Sequence, residues 1–405
     1  MLRFAHISDC HLGCWHNHPE LAAMPLRAFE RAINACINQK MDFILIAGDL
    51  FDTNLPSIDI VSAAAAILKK ANDAGILVYV VPGSHDFSPS GKTMISVFEA
   101  AGLLKNVAAF EEDETGITLQ IAENEKAVIC GMAGRAGGLE VELFKKIRRS
   151  QFTPEQKNKF RIFMFHSALE EYKPAFLKEL SAMPISLLPK GFDYYATGHV
   201  HHTFEMKEDG LGAVVFPGAL FPCDFTELER QDNGGFYIVS VDDAKNIKLD
   251  WQEIKLANIA AFKISANEKS AEEVQRDISE KLSGKNFENT IVLLRIAGTL
   301  SSGKPSDINF EVIAEKTNAL VVKRNVSALK TKEFEEISKE TEETDIEKLE
   351  DKIINEHLNQ IKLWGNEKKT ILSLMDVMKE EKGEETTATY MQRIIENARR
   401  TLGLI

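Results

Sequence analysis

The amino-acid sequence predicts an α/β fold in which two sheets are sandwiched between helices. Short apolar runs bounded by Gly, Asp or Pro recur along the first 255 residues, and such runs are typical of buried strands. Between the first of them, residues 25–39 and 57–72 carry apolar side chains at helical spacing. Because strands alternate with helices, the pattern indicates a layered α/β domain.

The strand-like runs fall into two groups. Those that precede polar motifs lie at residues 2–7, 43–47, 76–81, 161–165 and 192–196. Later runs with short connections predict a second, more antiparallel sheet, and they lie at residues 214–216, 236–239 and 247–251. Together the two groups predict a sandwich of sheets flanked by helices.

The rest of the chain divides into three regions after a first domain at residues 1–255. Residues 256–330 have the pattern of a small βαβαβ unit. The acidic, Thr-rich stretch at residues 331–345 has little apolar periodicity, which predicts a linker. Residues 346–405 return to amphipathic helix in three short stripes, which either pack on one another or dock onto a partner helix.

The composition bounds the class of protein. With 405 residues, 44% of them hydrophobic and 27% charged, the chain has the character of an ordinary soluble protein of more than one domain. No apolar run approaches the ~20 residues that a membrane span needs, and the N-terminus has no basic stretch followed by an apolar one. We therefore expect a cytoplasmic protein whose five cysteines are reduced thiols.

The net charge of −13 does not exclude a nucleic-acid substrate, although such proteins usually show a basic surface. Residues 333–351 contain ten acids and two lysines, so this stretch alone supplies −8 of the total. Arg27, Lys92 and Arg135 could line a path for DNA, but no basic cluster with interleaved aromatics locates that path.

Asp or His residues follow each apolar run of the first group. The motifs are Asp9-Cys10-His11, Gly48-Asp49-Leu50-Phe51-Asp52, Gly83-Ser84-His85-Asp86, His166 and Gly198-His199-Val200-His201. In open α/β sheets the ligand site lies at the carboxyl ends of the strands. The motifs therefore predict one site, assembled from loops that are distant in sequence.

These residue types suit a pair of divalent metal ions, because hard cations in hydrolytic sites take carboxylates and imidazoles as ligands. Two metals about 3.5–4 Å apart can bind a phosphate and activate water. Asp49 is the natural bridge, since the two oxygens of a carboxylate can point to different ions. The predicted metal ligands are Asp9, His11, Asp49, His166, His199 and His201.

Other polar residues near the motifs are given simpler roles. Cys10 and Cys14 could be thiolate ligands, but strand packing for the first and a loop thiol for the second are favoured. Asp52 is interpreted as a hydrogen-bonding residue rather than a ligand. His16 and His18 could contact a phosphate, but a solvated loop is the favoured interpretation.

The motifs resemble those of the calcineurin-like metallophosphoesterase superfamily. Within it, longer segments are similar to the DNA double-strand-break repair nucleases of the SbcD type. These segments are residues 6–13 (His-Ile-Ser-Asp-Cys-His-Leu-Gly), residues 42–52, the Pro217-Gly218-Ala219 turn and residues 235–239. The resemblance covers the first 255 residues strongly, and for the tail it rests on order and helicity.

The resemblance implies a four-layer αββα metallophosphoesterase sandwich and a manganese-dependent exonuclease and endonuclease that acts on DNA ends in double-strand-break repair. One Mn²⁺ would be held by Asp9, His11, Asp49 and His201, and a second by Asp49, Ser84, His166 and His199. The catalytic residues would be His85, which faces the scissile phosphate, and Asp86 behind it.

The resemblance also implies partners. Residues 256–330 would cap the site and guide DNA, and residues 346–405 would bind the coiled-coil base of an SMC-like ATPase of the SbcC type. The nuclease would form a homodimer through a helical bundle across a two-fold axis, to which the helical stripes containing Val61 and Val97 would contribute. No membrane partner is expected, and a nuclease that acts on DNA ends would be nucleoid-associated.

One position departs from the pattern, because the family has Asn where this chain has Ser84. A hydroxyl is a poorer neutral donor to a cation than an amide carbonyl and is one atom shorter, so the affinity of the second metal is in question. Two alternatives therefore stay open. One is a DNA-end-bridging scaffold with weak or partner-gated catalysis, and the other is a small-molecule phosphodiesterase or a protein phosphatase with the same centre.

Overall fold

The computed structural model describes residues 1–88, 93–148, 152–231, 233–332, 354, 367–379 and 387–402. The chain groups into two compact units. The first comprises Met1–Ile264, Asp277–Ile296 and Asn309–Val326, and the second comprises Ser265–Arg276, Ala297–Ile308 and Ser327–Ile405. The predicted linker lies almost entirely outside the described residues, and the predicted domain boundaries stay predictions.

The described residues contain nineteen strands. They are β1 (Leu2–Ile7), β2 (Phe43–Ala47), β3 (Leu77–Val81), β4 (Lys105–Asn106), β5 (Phe110–Asp113), β6 (Gly116–Leu119), β7 (Ala122–Glu123), β8 (Ala127–Met132), β9 (Phe160–His166), β10 (Ala168–Leu169), β11 (Ala182–Met183), β12 (Tyr194–Gly198), β13 (Phe204–Met206), β14 (Ala213–Phe216), β15 (Gly234–Val241), β16 (Ile247–Ile254), β17 (Asn258–Ser265), β18 (Thr290–Leu300) and β19 (Val321–Thr331).

Helices connect many of these strands. They are α1 (Pro19–Ala22), α2 (Met24–Asn38), α3 (Ile58–Asp73), α4 (Met94–Ala100), α5 (Val141–Phe144), α6 (Pro154–Asn158), α7 (Phe225–Gln231), α8 (Ala271–Leu282), α9 (Phe310–Glu315), α10 (Glu367–Lys379) and α11 (Thr387–Thr401). None of the helices in the described part of the chain is long and apolar enough to cross a membrane.

The first sheet has the strand order β16-β15-β1-β2-β3-β4. Strands β1 to β4 are parallel, and helices α2 and α3 form the crossovers from β1 to β2 and from β2 to β3. Strand β15 pairs antiparallel with the other edge of β1, and β16 pairs antiparallel with β15. All residues of β2 are buried, as expected of a central strand that is covered on both faces.

The second sheet has the order β13-β14-β12-β9-β8-β7, and its four central strands are parallel. The sequence predicted an antiparallel second sheet from residues 214–216, 236–239 and 247–251, and this prediction is wrong. Strand β14 belongs to a largely parallel sheet, and β15 and β16 join the first sheet. Their short connection indicates a hairpin, but only the distant pairing with β1 decides which sheet the hairpin joins.

Three buried clusters separate four layers. On β2, Ile44 and Ile46 face the cluster under helices α2 and α3, whereas Phe43 and Leu45 face the cluster between the two sheets, because alternate residues of a strand project to opposite faces. On the far side of the second sheet, Phe163 packs in a third cluster with helix α5. This order of helices, sheet, sheet and outer layer confirms the predicted αββα sandwich.

Strands β17, β18 and β19 form a separate three-stranded sheet. Helix α8 lies between β17 and β18 in sequence, and α9 lies between β18 and β19, so the βαβαβ order predicted for this region is present. In the tail, α10 contains the second predicted helical stripe (Ile371, Leu374, Met375 and Met378), and α11 contains most of the third (Met391, Ile394, Ile395 and Ala398, with Leu402 just beyond the helix). The two helices pack on each other. The first predicted stripe (Ile346, Leu349, Ile353, Leu358, Ile361 and Trp364) lies outside the described residues.

A buried histidine links the two large sheets. His6 on β1 lies between them, with Nδ1 2.9 Å from the hydroxyl of Tyr194 and Nε2 3.0 Å from the carbonyl oxygen of Thr197. Because a carbonyl only accepts, Nε2 carries the proton, and Nδ1 accepts from the tyrosine hydroxyl. The neutral ring is fully satisfied, and burial lowers the pKa of His6 to about 3.

We expect His6 to make the fold sensitive to mild acid. Its pKa in the folded protein lies below the ordinary value of 6.5, so its contribution is complete above pH 6.5 and is lost as the pH falls from 6.5 towards 3. Between pH 7.5 and 5.0 the free energy of unfolding should fall by about 2 kcal/mol through this residue. In urea unfolding, the free energy of unfolding of His6→Gln should fall by about 2 kcal/mol less than that of the parent over this pH range. The control His16→Gln changes an exposed histidine and should fall as much as the parent. Equal falls in all three proteins would contradict this prediction.

Candidate metal centre

The centre forms where the carboxyl ends of strands from both large sheets meet. Asp9 follows β1 and Asp49 follows β2 in the first sheet, while His166 ends β9 and His199 follows β12 in the second. Asp9, Asp49 and His166 are buried. Face-to-face packing of the sheets therefore brings together residues that are far apart in sequence, as the motifs predict.

The first group of ligating atoms comes from Asp9, His11 and His201, and these atoms lie within 4.8 Å of one another. Nε2 of His11 is 3.1 Å from Nε2 of His201, and that atom is 3.6 Å from Oδ1 of Asp9. Two imidazole nitrogens and a carboxylate oxygen thus face a common point. This is the chemistry of a divalent cation site.

The second group comes from Asp49, His166 and His199. Nε2 of His166 lies 3.0 Å from Oδ2 of Asp49, and the same carboxylate oxygen is 3.7 Å from Nε2 of His11 in the first group. Asp49 therefore reaches both groups, which is the position required of a bridging carboxylate. Ser84 lies beside this group and donates its hydroxyl to Oδ2 of Asp49 at 3.3 Å.

His85 lies at the edge of the centre, in a further group with His11 and Asp52. Its Nδ1 is 2.7 Å from the carbonyl oxygen of Asp52, so Nδ1 donates and Nε2 is the ring nitrogen that can meet a substrate. The Asp52 carboxylate hydrogen-bonds His11, in agreement with the role predicted for it.

Asp86 does not have the neighbours expected of a residue behind the His85 ring. Its carboxylate accepts the backbone N–H groups of Gly83, Leu50 and Phe51, at 3.0, 3.1 and 3.0 Å. Burial and the charge of Asp49 raise the pKa of Asp86 to about 6. Asp86 thus ties the loop after β2 to the loop after β3, which makes it a positioning residue.

Three of the histidines share one arrangement, in which Nδ1 lies against an acceptor on the outer side of the centre. The acceptors are Asp52 Oδ1 for His11 (3.2 Å), the carbonyl oxygen of Ala47 for His166 (2.9 Å) and Glu227 Oε1 for His201 (2.6 Å). Carboxylate and carbonyl oxygens only accept, so each Nδ1 carries a proton and each Nε2 faces the cluster. Such outer partners fix the orientation of metal-binding histidines.

Glu227 is a functional residue that the sequence did not predict. It lies on α7 and also accepts the backbone N–H of Cys223 at 2.7 Å. The available signal was an acid in a short helix after the Pro217-Gly218 turn. That signal is weak, because only the tertiary structure places α7 against His201.

Four of the predicted ligands have strained backbone conformations. Asp9, His11, Asp49 and His199 have φ angles of 50°, 40°, 49° and 81°. Such left-handed conformations cost non-glycine residues about 1–3 kcal/mol each and cluster at functional sites. Backbone hydrogen bonds from Asp9 N to Gly48 O (3.1 Å) and from His11 N to Asp49 O (3.0 Å) hold them.

Two features require glycine at position 48, which are its backbone angle and the close approach of the His166 ring. Its φ is +88°, and a Cβ at this position would overlap the imidazole ring of His166. The glycine of the Gly-Asp motif therefore makes room for a ligand that comes from the other sheet. Gly75 offers a comparison, because its φ is +76° but a Cβ there would meet nothing within 4 Å.

The electrostatics of the centre demand positive charge. Burial opposes protonation of His166, but Asp49 and Asp9 outweigh it and raise the pKa of His166 to about 10. At His199, burial and the neighbouring His166 lower the pKa to about 4. Among the described residues, the buried Nε2 of His166 makes no hydrogen bond, although Oδ2 of Asp49 is near. A divalent cation satisfies both the nitrogen and the carboxylates.

A cavity of about 540 Å³ opens beside the centre, and its walls include Ser84, His85, His199 and Arg135. The guanidinium of Arg135 lies over the ring of Phe87. Of the three basic residues considered for a DNA path, Arg135 therefore borders the cavity. Lys92 lies outside the described residues.

Residues 2–203 match the family of calcineurin-like phosphoesterases. This segment contains β1 to β12 and every predicted ligand in both groups. The chain therefore carries a calcineurin-like metallophosphoesterase domain and belongs to that family.

Within the family, the chain is similar to archaeal proteins named "DNA double-strand break repair protein Mre11". It is 24% identical over 285 residues to the protein from Methanopyrus kandleri, covering 68% of this chain and 62% of that one. It is 27% identical to the protein from Thermoplasma acidophilum, and the match covers 73% of this chain and 77% of that one. It is 26% identical to the protein from Sulfolobus acidocaldarius, and the match covers 95% of this chain and 97% of that one.

We expect Gly48→Ala to abolish tight metal binding, because the added Cβ displaces the His166 ring. Gly75→Ala is the matched control, since it carries the same backbone penalty of about 1 kcal/mol without the clash. Calorimetric titration with Mn²⁺ should detect binding to the parent and to Gly75→Ala but not to Gly48→Ala. Equal binding by the two variants would show that the contact with His166 is unimportant.

Proposed function

We propose that this protein is a manganese-dependent DNA nuclease that hydrolyses phosphodiester bonds during the processing of double-strand breaks. The observation that carries the proposal is the pair of ligand groups joined by Asp49 at the mouth of an open cavity. The similarity to proteins named for double-strand-break repair supports DNA as the substrate.

In this proposal each metal has four protein ligands. Asp9, His11, Asp49 and His201 hold one Mn²⁺, and Asp49, Ser84, His166 and His199 hold the other. When bound, the ions supply positive charge to the phosphate oxygens and make water nucleophilic at neutral pH. The donor set supports this assignment, because each group combines imidazole nitrogen with carboxylate oxygen.

His85 is the proposed catalytic residue. Its Nδ1 is held by the carbonyl oxygen of Asp52, so Nε2 is oriented to contact the scissile phosphate and to exchange a proton with the leaving oxygen. The backbone N–H of His85 donates to Oδ1 of Asp49 at 2.8 Å, which links the position of the ring to the bridging carboxylate. Asp86 acts through this loop and not on the substrate.

The proposal extends to the partners. Residues 256–330 guide DNA to the cavity, and the tail binds an SMC-like coiled-coil ATPase, for which the exposed apolar residues Met391 and Ile395 on α11 are suited. A homodimer forms through α3 and α4. Val97 on α4 is 51% exposed, and Val61 on α3 packs partly against the core, so the first is the stronger interface residue.

We expect the full chain to cleave linear and single-stranded DNA only when Mn²⁺ is added. Asp49→Asn should lower the rate more than about a hundred-fold, because even the outer partners of metal ligands are worth about 10–100-fold. Asp73→Asn, which alters an exposed ion pair with Lys69, is the control that should retain full activity. The measurement is a manganese titration of cleavage by the three proteins.

Two results, from parallel assays of hydrolysis and DNA binding with the same proteins, would favour the alternatives. Hydrolysis of bis-p-nitrophenyl phosphate without cleavage of DNA would indicate a small-molecule phosphodiesterase. Binding of DNA without cleavage at any manganese concentration would indicate an end-bridging scaffold or an enzyme that its partner activates.

We expect Ser84→Asn to lower the manganese concentration that gives half-maximal activity, by about ten-fold. The amide carbonyl is a better neutral donor than a hydroxyl and is one atom longer. Direct Mn²⁺ binding, followed by electron paramagnetic resonance, should tighten in parallel, whereas Ser84→Ala should weaken it. An unchanged concentration in Ser84→Asn would refute a ligand role at this position.

A further inference from the structure

A small stack of exposed side chains includes His202, the residue directly after the predicted ligand His201. The guanidinium of Arg230 lies 4.3 Å from the centre of the Phe176 ring, and His202 meets the same ring edge-on at 5.9 Å. Phe176 is 49% exposed, so much of this aromatic surface is open to a ligand although the residue belongs to no buried cluster. We call Phe176, His202 and Arg230 the aromatic stack.

Two connections link the aromatic stack to the first ligand group of the metal centre. His202 follows His201 directly, so their Cα atoms are about 3.8 Å apart. Arg230 lies on α7, the same helix that supplies Glu227 to orient His201. A displacement of either element would disturb both the stack and the first ligand group.

The two acids of helix α7 form ion pairs with residues other than Arg230. Glu227 is paired with His201, and Glu229 forms an ion pair with Arg295 at 2.9 Å. Arg230 itself is exposed, and its described contact is the face of Phe176. An aromatic ring beside a cation suits a ligand that has a flat part to stack and an anionic part to pair with the charge.

We propose that the aromatic stack binds an unpaired nucleobase whose phosphate is at the metal centre. This inference rests on the proposed nuclease function. A base is separated from its phosphate by one sugar, and His202 of the stack directly follows the predicted ligand His201 in the chain. Bases stack on aromatic side chains without regard to sequence, and arginine adds attraction to the backbone. Bases inside a duplex are already stacked, so the stack selects single-stranded or frayed ends.

The test follows stacking itself rather than cleavage. Oligothymidylate carrying one 2-aminopurine, placed at each position in turn, is titrated with the full chain in a His85→Gln background with Mn²⁺ present. Stacking quenches the fluorescence of 2-aminopurine. We expect quenching confined to one or two positions, its loss in Phe176→Leu, and its retention in Phe176→Trp. Affinity for the single strand should fall roughly five-fold or more in Phe176→Leu.

Further variants separate stacking from charge and from general surface change. Arg230→Lys keeps the charge but lacks a planar group, so it should reduce quenching less than Arg230→Gln does. Leu77→Ala removes a 54% exposed apolar side chain from the start of β3, at the opposite end of the strand from the centre, and should change nothing.

Three results would overturn the proposal. They are quenching that is equal in the parent and Phe176→Leu, quenching at no position, and loss of dimerisation in Phe176→Leu, which would make the stack an interface between copies of the chain. Failure of the nuclease proposal is seen separately, as absence of manganese-dependent cleavage by the unaltered chain.

Discussion

The carboxylate of Asp49 is the contact on which the rest of the centre depends. Its Oδ1 accepts the backbone N–H of His85, and its Oδ2 accepts the hydroxyl of Ser84. The same Oδ2 lies 3.0 Å from Nε2 of His166 and 3.7 Å from Nε2 of His11. One buried negative group thus contacts residues of the loops after β1 and β3 in the first sheet and the end of β9 in the second. Without cationic charge nearby, its burial would be prohibitively costly.

The arrangement around this carboxylate has an inner and an outer part with different chemistry. The inner part presents Nε2 atoms and carboxylate oxygens to a common point. The outer part, made of Asp52, Glu227 and the carbonyl oxygen of Ala47, accepts the Nδ1 protons. Because the outer acceptors select the tautomer, the inner nitrogens are ready to bind a cation without rearrangement. The family assignment and the geometry therefore agree on a hydrolytic metal site.

The sequence predicts the inner part well and the outer part poorly. Each inner residue lies at the carboxyl end of an apolar strand or within a few residues of it, so local spacing suffices to find Asp9 or His199. The contact of Glu227 with His201 and the contacts of Asp86 depend on which distant segments pack together. The spacing of residues in the sequence does not reveal this. The same reason explains the misplaced hairpin of β15 and β16, whose sheet is chosen by pairing with β1.

That pairing also has a consequence for the order of folding. Strand β1 leaves the ribosome well before its outer neighbour β15, which spans Gly234–Val241 and can arrive only after most of the domain has been made. Until then β1 is an unpaired sheet edge, a structure prone to mispairing and aggregation. Contacts between residues so far apart in the chain form slowly. The loop that carries Asp9 and His11 is therefore attached to one of the last parts of the sheet to be completed during synthesis.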